Sequence, residues 1–174
     1  NSLTPVLLEL GGKDPMIVCA DADVERAAKG AVWGAFQNSG QTCMSVERVY
    51  VEESVAEDFI DRVIVETGNI RQGINEGDIG SMTFAPQLEI VQRHLADAVD
   101  KGARVIVGGS RIERDGLWFE PTVVVDVDHT MDLMREESFG PVIGIQKVAG
   151  DAEALALMND TRYGLTAGVY TRDE

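Results

Sequence analysis

Two groups in this sequence can carry covalent chemistry as a pair. Cys43 closes the run Phe36-Gln37-Asn38-Ser39-Gly40-Gln41-Thr42-Cys43, and Glu9 sits in Leu8-Glu9-Leu10-Gly11-Gly12-Lys13. A sulfur nucleophile and a carboxylate base are the groups needed to form a thioester and then hydrolyse it. A free thiol titrates at about 8.5, so little of it is thiolate at neutral pH; N–H groups at a helix start or a nearby cation raise that share. Gly40 permits a tight turn with close approach of a substrate. Glu9 has the apolar neighbours Val6, Leu7, Leu8 and Leu10. Such surroundings resist ionisation and move a carboxyl towards the range of about 6–7, where it serves as a general base. Gly11 and Gly12 leave bare backbone against which a flat ligand can lie. Each residue alone also fits a plain role: Cys43 as a small core side chain behind a helix, Glu9 as a strand-end carboxylate in water. Cys19 follows Ile17 and Val18. Burial there raises a thiol's pKa and hides the sulfur, so Cys19 reads as structural.

The elements that must place these groups follow from periodicity. Residues 6–10 and 15–19 read as short apolar strands. The spacing of Val24, Ala27, Ala28, Ala31, Val32, Ala35 and Phe36 predicts a helix over residues 24–37 that leads towards Cys43. Asp23 or Asp21 can cap it. Residues 48–52 read as a strand with Val49 and Val51 on one face. Ser54-Val55-Ala56-Glu57 has the capping-box pattern and opens a helix carrying Val55, Phe59, Ile60 and Val63. Residues 69–81 are polar and glycine-rich, as in a loop. Pro86 suits the first turn of a helix. Leu88, Val91, Leu95, Ala98 and Val99 give that helix one apolar stripe, and Gly102 ends it. Residues 104–107 read as a buried strand stopped by Gly108-Gly109, and residues 119–127 as extended chain. A strand over 141–148, a helix over 151–158 and a last strand over 166–171 complete the pattern. Alternation of this kind predicts an α/β fold with a mostly parallel sheet, in one domain over residues 1–174.

Bulk properties narrow the function classes. A chain of 174 residues buries roughly 70% of its unfolded surface. The formal charge of -15 repels phosphate backbones, so no nucleic-acid partner is expected. No apolar run reaches the ~18 residues of a membrane span, and no membrane association is expected. The two cysteines imply no disulfide framework and fit a reducing, cytoplasmic setting. No metal site is expected. The chain opens at Asn1 without an initiator Met and stops at Asp173-Glu174, which reads as a segment of a longer protein.

Three motifs in register carry a resemblance to the aldehyde dehydrogenase superfamily, of the NAD(P)-dependent, non-acylating kind. Glu9-Leu10-Gly11-Gly12-Lys13 resembles the family's general-base motif. Gly40-Gln41-Thr42-Cys43 resembles its nucleophile motif, and Glu136-Glu137-Ser138-Phe139-Gly140-Pro141 a cofactor-contact segment. Weaker similarity runs through Phe119-Glu120-Pro121-Thr122 and Asn159-Asp160-Thr161-Arg162-Tyr163-Gly164-Leu165, so the resemblance covers essentially the whole chain. It implies a three-layer Rossmann-like catalytic domain acting on a small-molecule aldehyde with NAD or NADP. Cys43 would attack the aldehyde carbon, giving a thiohemiacetal whose oxyanion is held by the Cys43 N–H and an Asn side chain. Hydride loss would leave a thioester, and Glu9 would activate the water that hydrolyses it. Glu137 matches the residue that holds the nicotinamide ribose hydroxyls, and Phe139 the one packed near the nicotinamide. Leu10 and Gly11 match backbone positions lining its pocket. Lys13 receives no chemical role.

The same resemblance implies what lies outside this stretch. No Rossmann-type glycine fingerprint occurs here. The adenine and pyrophosphate sites, the oxyanion Asn and the oligomerisation strands are expected on other parts of a homo-oligomeric parent, a dimer or tetramer. By itself the stretch is expected to be inactive or weakly esterolytic. Three rival readings stay open on sequence: an acylating relative in which CoA resolves the thioester, a Cys–His enzyme using His94 or His129, and a non-enzymatic α/β interaction module.

Overall fold

The computed structural model describes residue 3 and residues 5–173. Six strands, β1 (Asp14–Val18), β2 (Val46–Glu52), β3 (Arg104–Val107), β4 (Thr122–Val125), β5 (Val142–Val148) and β6 (Gly168–Tyr170), form one sheet in the order β3-β4-β5-β2-β1-β6. All neighbours are parallel except β3 with β4. Five helices connect them: α1 (Val24–Phe36), α2 (Glu53–Gly68), α3 (Ala85–Asp100), α4 (Asp132–Arg135) and α5 (Asp151–Asn159). This is the α/β, mostly parallel architecture expected, with helices on both faces.

The two-residue period of the strands divides the core in two. Met16, Val18, Val49, Val51, Val123, Val125, Ile143 and Ile145 face α1 and α2. Ile17, Tyr50, Val124 and Val142 face α3, α4 and α5. Because both faces are covered, β1 and β4 are buried along their whole length, as continuous apolar runs in parallel sheets usually are. α1 packs through Ala27, Ala28, Ala31 and Ala35, small side chains that let it lie close to the sheet, and Phe36 and Phe59 fill the wider gaps. Burying each such large side chain contributes roughly 1.5–3 kcal/mol.

Local signals explain most boundaries. Asp23 caps α1, its carboxylate accepting from the Arg26 N–H at 3.1 Å. Pro86 lies in the first turn of α3, and Gly102 takes the left-handed conformation just past its end (φ +103°).

Several expectations fail for physical reasons. Residues 6–10 form no strand and are exposed; none of the six strands pairs with them, so their backbone has no ladder to join. The Ser54 capping box does not form. β2 runs directly into α2, Glu52 is the cap, and the Ser54 hydroxyl donates to its carboxylate. Val99 lies off the buried stripe of α3, half in solvent. β3 is an edge strand with Arg104 exposed and the rest only partly covered, not a buried one. Asp126, at φ +58°, confines the last extended stretch before α4 to β4. Among the described residues no helix is long and apolar enough to cross a membrane.

Candidate active site

Three segments that enter adjacent strands meet at the amino ends of β5, β2 and β1. Residues 137–141 enter β5, residues 41–45 enter β2, and residues 9–13 enter β1. The segment bearing Cys43 therefore lies between the other two, at a separation set by the ~4.8 Å spacing of neighbouring strands. Ligand sites of open parallel sheets more often lie at the carboxyl ends.

The chain reverses sharply to bring Cys43 there. After α1 it makes a single tight turn over Gln37–Gly40, in which Asn38, Ser39 and Gly40 all have left-handed backbone (φ 51°, 57° and 70°). Side chains hold this costly arrangement. Ser39 Oγ donates to the Gly80 carbonyl at 2.7 Å, and Asn38 Nδ2 to the Gln41 carbonyl at 2.9 Å. Gln41 Oε1 accepts from Thr83 N at 2.8 Å. A second turn, closed by Ser45 N donating to Thr42 O at 3.0 Å, carries Cys43 and Met44 at its centre. Ser45 Oγ pins that turn to the last carbonyls of α1.

Glycines let the three segments touch backbone to backbone. A Cβ on Gly12 would stand 2.2 Å from the Cys43 carbonyl oxygen, and one on Gly40 would stand 2.0 Å from that of Gly140. Gly11, at φ +71°, faces the Glu137 carboxylate, whose oxygen a Cβ would meet at 2.7 Å. Gly12 N donates to Glu137 Oε1 at 2.9 Å.

Together they bound a cleft of about 830 Å³ that Cys43, Glu9, Glu137, Phe139, Leu10 and Gly11 all line. All six residues singled out by sequence thus share one cavity. Cys43 is half-buried. Burial pushes the Glu137 carboxyl above its ordinary range, with help from the Glu47 and Glu9 charges and against the Gly12 hydrogen bond and Lys13. Glu9 corrects one expectation: it is exposed, and Leu8 and Leu10 beside it point to solvent as well, so sequence neighbours do not bury its carboxyl.

Of the other lining residues, Gln41 and Thr42 belong to the motif ending at Cys43, Arg162 and Tyr163 lie in the weaker 159–165 similarity, and Gln87 carried no readable signal. Gln87 comes from α3, while Arg162 and Tyr163 come from the loop before β6. Arg162 pairs with Glu136, and the Tyr163 hydroxyl accepts from Glu137 N at 3.4 Å.

Behind the cleft lies a buried ionic layer that the sequence reading missed. Lys13 is paired with Glu47 at 2.5 Å, both out of solvent. Burial pushes the Lys13 ammonium below its ordinary range while Glu47 pulls it back. Arg48, also buried, donates to the Lys13 carbonyl at 2.8 Å and to the Met158 carbonyl at 3.0 Å, tying the end of α5 to β2. The available signal was a Glu-Arg pair inside an otherwise apolar strand.

The histidines lie elsewhere. His94 Nδ1 is 3.0 Å from Ser138 Oγ, and His129 bridges Tyr50 and Asp160; neither lines the cleft. Cys19 follows β1 at the opposite end of the sheet and is half-buried, not fully as expected. Its thiol is pushed up to about 11 by burial and by Asp151.

The profile described as "Aldehyde dehydrogenase family" matches residues 1–174. The chain is 44% identical over 170 residues to the 4,4'-diapolycopene aldehyde oxidase of Methylomonas sp, covering 97% of this chain and 32% of that protein. It is 40% identical to the succinate-semialdehyde dehydrogenase [NADP(+)] GabD of Escherichia coli K12, covering 99% of this chain and 36% of that protein. The crystal structure of lactaldehyde dehydrogenase from Escherichia coli superimposes with a TM-score of 0.92 at 40% identity, over 95% of this chain and 35% of that one. The chain spans about a third of the length of the curated relatives it matches.

Proposed function

The chain belongs to the aldehyde dehydrogenase family, and from that premise we propose that residues 1–174 are the thiol-bearing catalytic domain of an enzyme oxidising an aldehyde to a carboxylic acid with NAD or NADP. The observation that carries this reading is the convergence of Cys43, Glu9 and Glu137 on one cleft, through segments in direct backbone contact.

In this reading the Cys43 thiolate adds to the aldehyde carbon, and the C–S bond forms as the carbonyl oxygen becomes an oxyanion facing the Cys43 N–H. Loss of hydride from that carbon leaves a thioester on Cys43. Glu9 takes a proton from water, which attacks the thioester carbon; the acid departs and the thiolate is restored. Glu9's exposure on the cleft wall suits this role, because a residue that handles water must reach it.

The residues present fit a nicotinamide nucleotide. Bare Gly11 backbone forms a cradle that a side chain would fill, with the half-buried Glu137 carboxylate beside it and Phe139 on the same cleft. Glu137 would accept from ribose hydroxyls, while Leu10, Gly11 and Phe139 would bound the ring. A bound nicotinamide supplies the hydride acceptor. GabD carries NADP(+) in its name. The same reading places the enzyme in the cytoplasm, where a thiol nucleophile stays reduced, and makes it a homo-oligomer, dimer or tetramer.

The test is nucleotide reduction by the full-length protein across a panel of aldehydes, with NAD and NADP separately, with and without CoA, beside a Cys43→Ser control. Reduced nucleotide with free acid as product, lost in the control, is expected. Activity that survives Cys43→Ser sinks the reading.

A further inference from the structure

Glu47 stands outside the cleft yet holds one of its walls. It lies at the start of β2, four positions after Cys43. Glu47 Oε2 accepts from Ser138 N at 2.8 Å and Oε1 from Phe139 N at 2.8 Å. Two consecutive backbone N–H groups thus converge on one carboxylate, an anion-binding concavity of the kind formed where the chain turns through left-handed conformation. Phe139 is the left-handed residue, at φ +49°. This is costly for a side chain with a Cβ and persists only where neighbouring groups fix it.

The anchor is itself fixed. Lys13 compensates the Glu47 charge and also donates to Ser138 Oγ at 3.3 Å. His94 reaches the same hydroxyl, and Gln87 Nε2 donates to the Ser138 carbonyl at 2.7 Å. Ser138 is buried, so its two chain neighbours take their directions from it: Glu137 towards Gly12 N and bare Gly11, Phe139 into the cleft. Lys13 directly follows Gly12, so one ion pair links the segments entering all three strands.

We propose that Glu47 is the positioning residue of the nucleotide-contacting turn, setting the places of Glu137 and Phe139 relative to Gly11 and Cys43 without touching substrate. It rests on the reading of Glu137 and Phe139 as nucleotide contacts. A carboxylate meets the two N–H groups and the ammonium together. An amide of the same size offers one acceptor oxygen and turns an NH2 group towards donors. Glu47→Gln therefore loosens the turn and leaves Lys13 without a counter-charge.

The experiment uses the full-length protein, with NAD and NADP as probes. In Glu47→Gln the nucleotide KM rises by about tenfold or more, as expected for loss of hydrogen bonds to a charged group. The iodoacetamide labelling rate of Cys43, measured without nucleotide, stays within about twofold, since the turn carrying Cys43 keeps its own hydrogen bonds. The double variant Lys13→Met/Glu47→Leu separates positioning from stability. An apolar pair can restore stability lost with a buried ion pair, but Leu accepts no N–H bonds, so the raised KM persists as the melting temperature recovers. A KM that recovers with stability overturns the proposal, as does an unchanged KM in Glu47→Gln. Hydrogen exchange on the unaltered protein, free of nucleotide, provides an arm independent of variant folding. The amides of Ser138 and Phe139 exchange at least about 100-fold slower than in an unstructured chain if anchored; exchange at the unstructured rate overturns the proposal. Nucleotide binding absent from the unaltered protein overturns the functional reading, and this proposal with it.

Discussion

Cys43 and Cys19 show how one side chain acquires different prospects from its surroundings. Cys43 lines an open cleft at the centre of a turn, while Cys19 sits beside Asp151 with its thiol pushed up to about 11. A thiol held so high is almost entirely protonated at neutral pH, and the thiolate is what reacts. Iodoacetamide at neutral pH should therefore alkylate Cys43 well ahead of Cys19, as peptide mass spectrometry would read; equal rates would contradict the assignment. Glu9→Gln should leave acylation intact but slow deacylation by roughly 100- to 10,000-fold, the usual worth of a general base. The adduct on Cys43 should then persist in the intact mass after aldehyde is added with nucleotide. Glu137 gives a pH prediction whose sign follows from its raised carboxyl. A raised pKa means protonation at a higher pH than the ordinary value of about 4.3. Nucleotide affinity should fall on acidification through that higher value and return above it, and Glu137→Gln should flatten the profile. At this scale the sequence exposed residues that sit in dense motifs. It hid Lys13 and Glu47, because a buried charge becomes intelligible only when its partner, 34 positions away, is placed beside it.

The elements were legible where periodicity has one solution. α1 and α3 announce themselves by spacing, and β5 by its β-branched run. Residues 6–10 are as apolar as a strand, yet a strand also needs a partner strand beside it, which composition does not report. The Ser54 box failed for a related reason: β2 passes into α2 without the intervening residue a serine cap requires, and Glu52 takes the position. Turn glycines reveal their purpose only in three dimensions. Gly40 and Gly102 both have positive φ, but a Cβ at Gly40 meets the Gly140 carbonyl whereas one at Gly102 meets nothing. Gly102→Ala should thus cost only the backbone term, about 1–2 kcal/mol. Gly40→Ala should cost at least about 2–3 kcal/mol, adding displacement of a neighbouring backbone. At roughly 2–4 °C per kcal/mol for a domain of this size, the two melting temperatures should separate by several degrees. Coincident values would mean that the contact at Gly40 relaxes freely.

For the molecule as a whole, the acidic excess is the dominant long-range force. Thirty acidic residues face fifteen basic ones. Surface pairs such as Lys29–Glu25 and Arg71–Asp78 are solvent-exposed, contribute little and weaken with salt. Self-repulsion among the unpaired acids is the larger effect at a net charge of -15. Raising ionic strength from about 0.01 to 0.15 M shortens the screening length from about 30 to 8 Å. The melting temperature should therefore rise, and a fall would show that the pairs prevail. The fold class was readable at this scale because alternation of strands and helices survives without a partner sequence. The strand order was not, since β5-β2-β1 adjacency is a fact of packing. That adjacency also makes sheet pairing a guardian of alignment. Asp14 pairs with Val46 and Arg48 with Gly144. A slip of one residue in either ladder would shift a cleft residue by about 3.3 Å along the sheet and move the strand's side chains to the opposite core face. Valine and isoleucine side chains that never meet a substrate thereby keep sulfur, carboxylates and cradle in step.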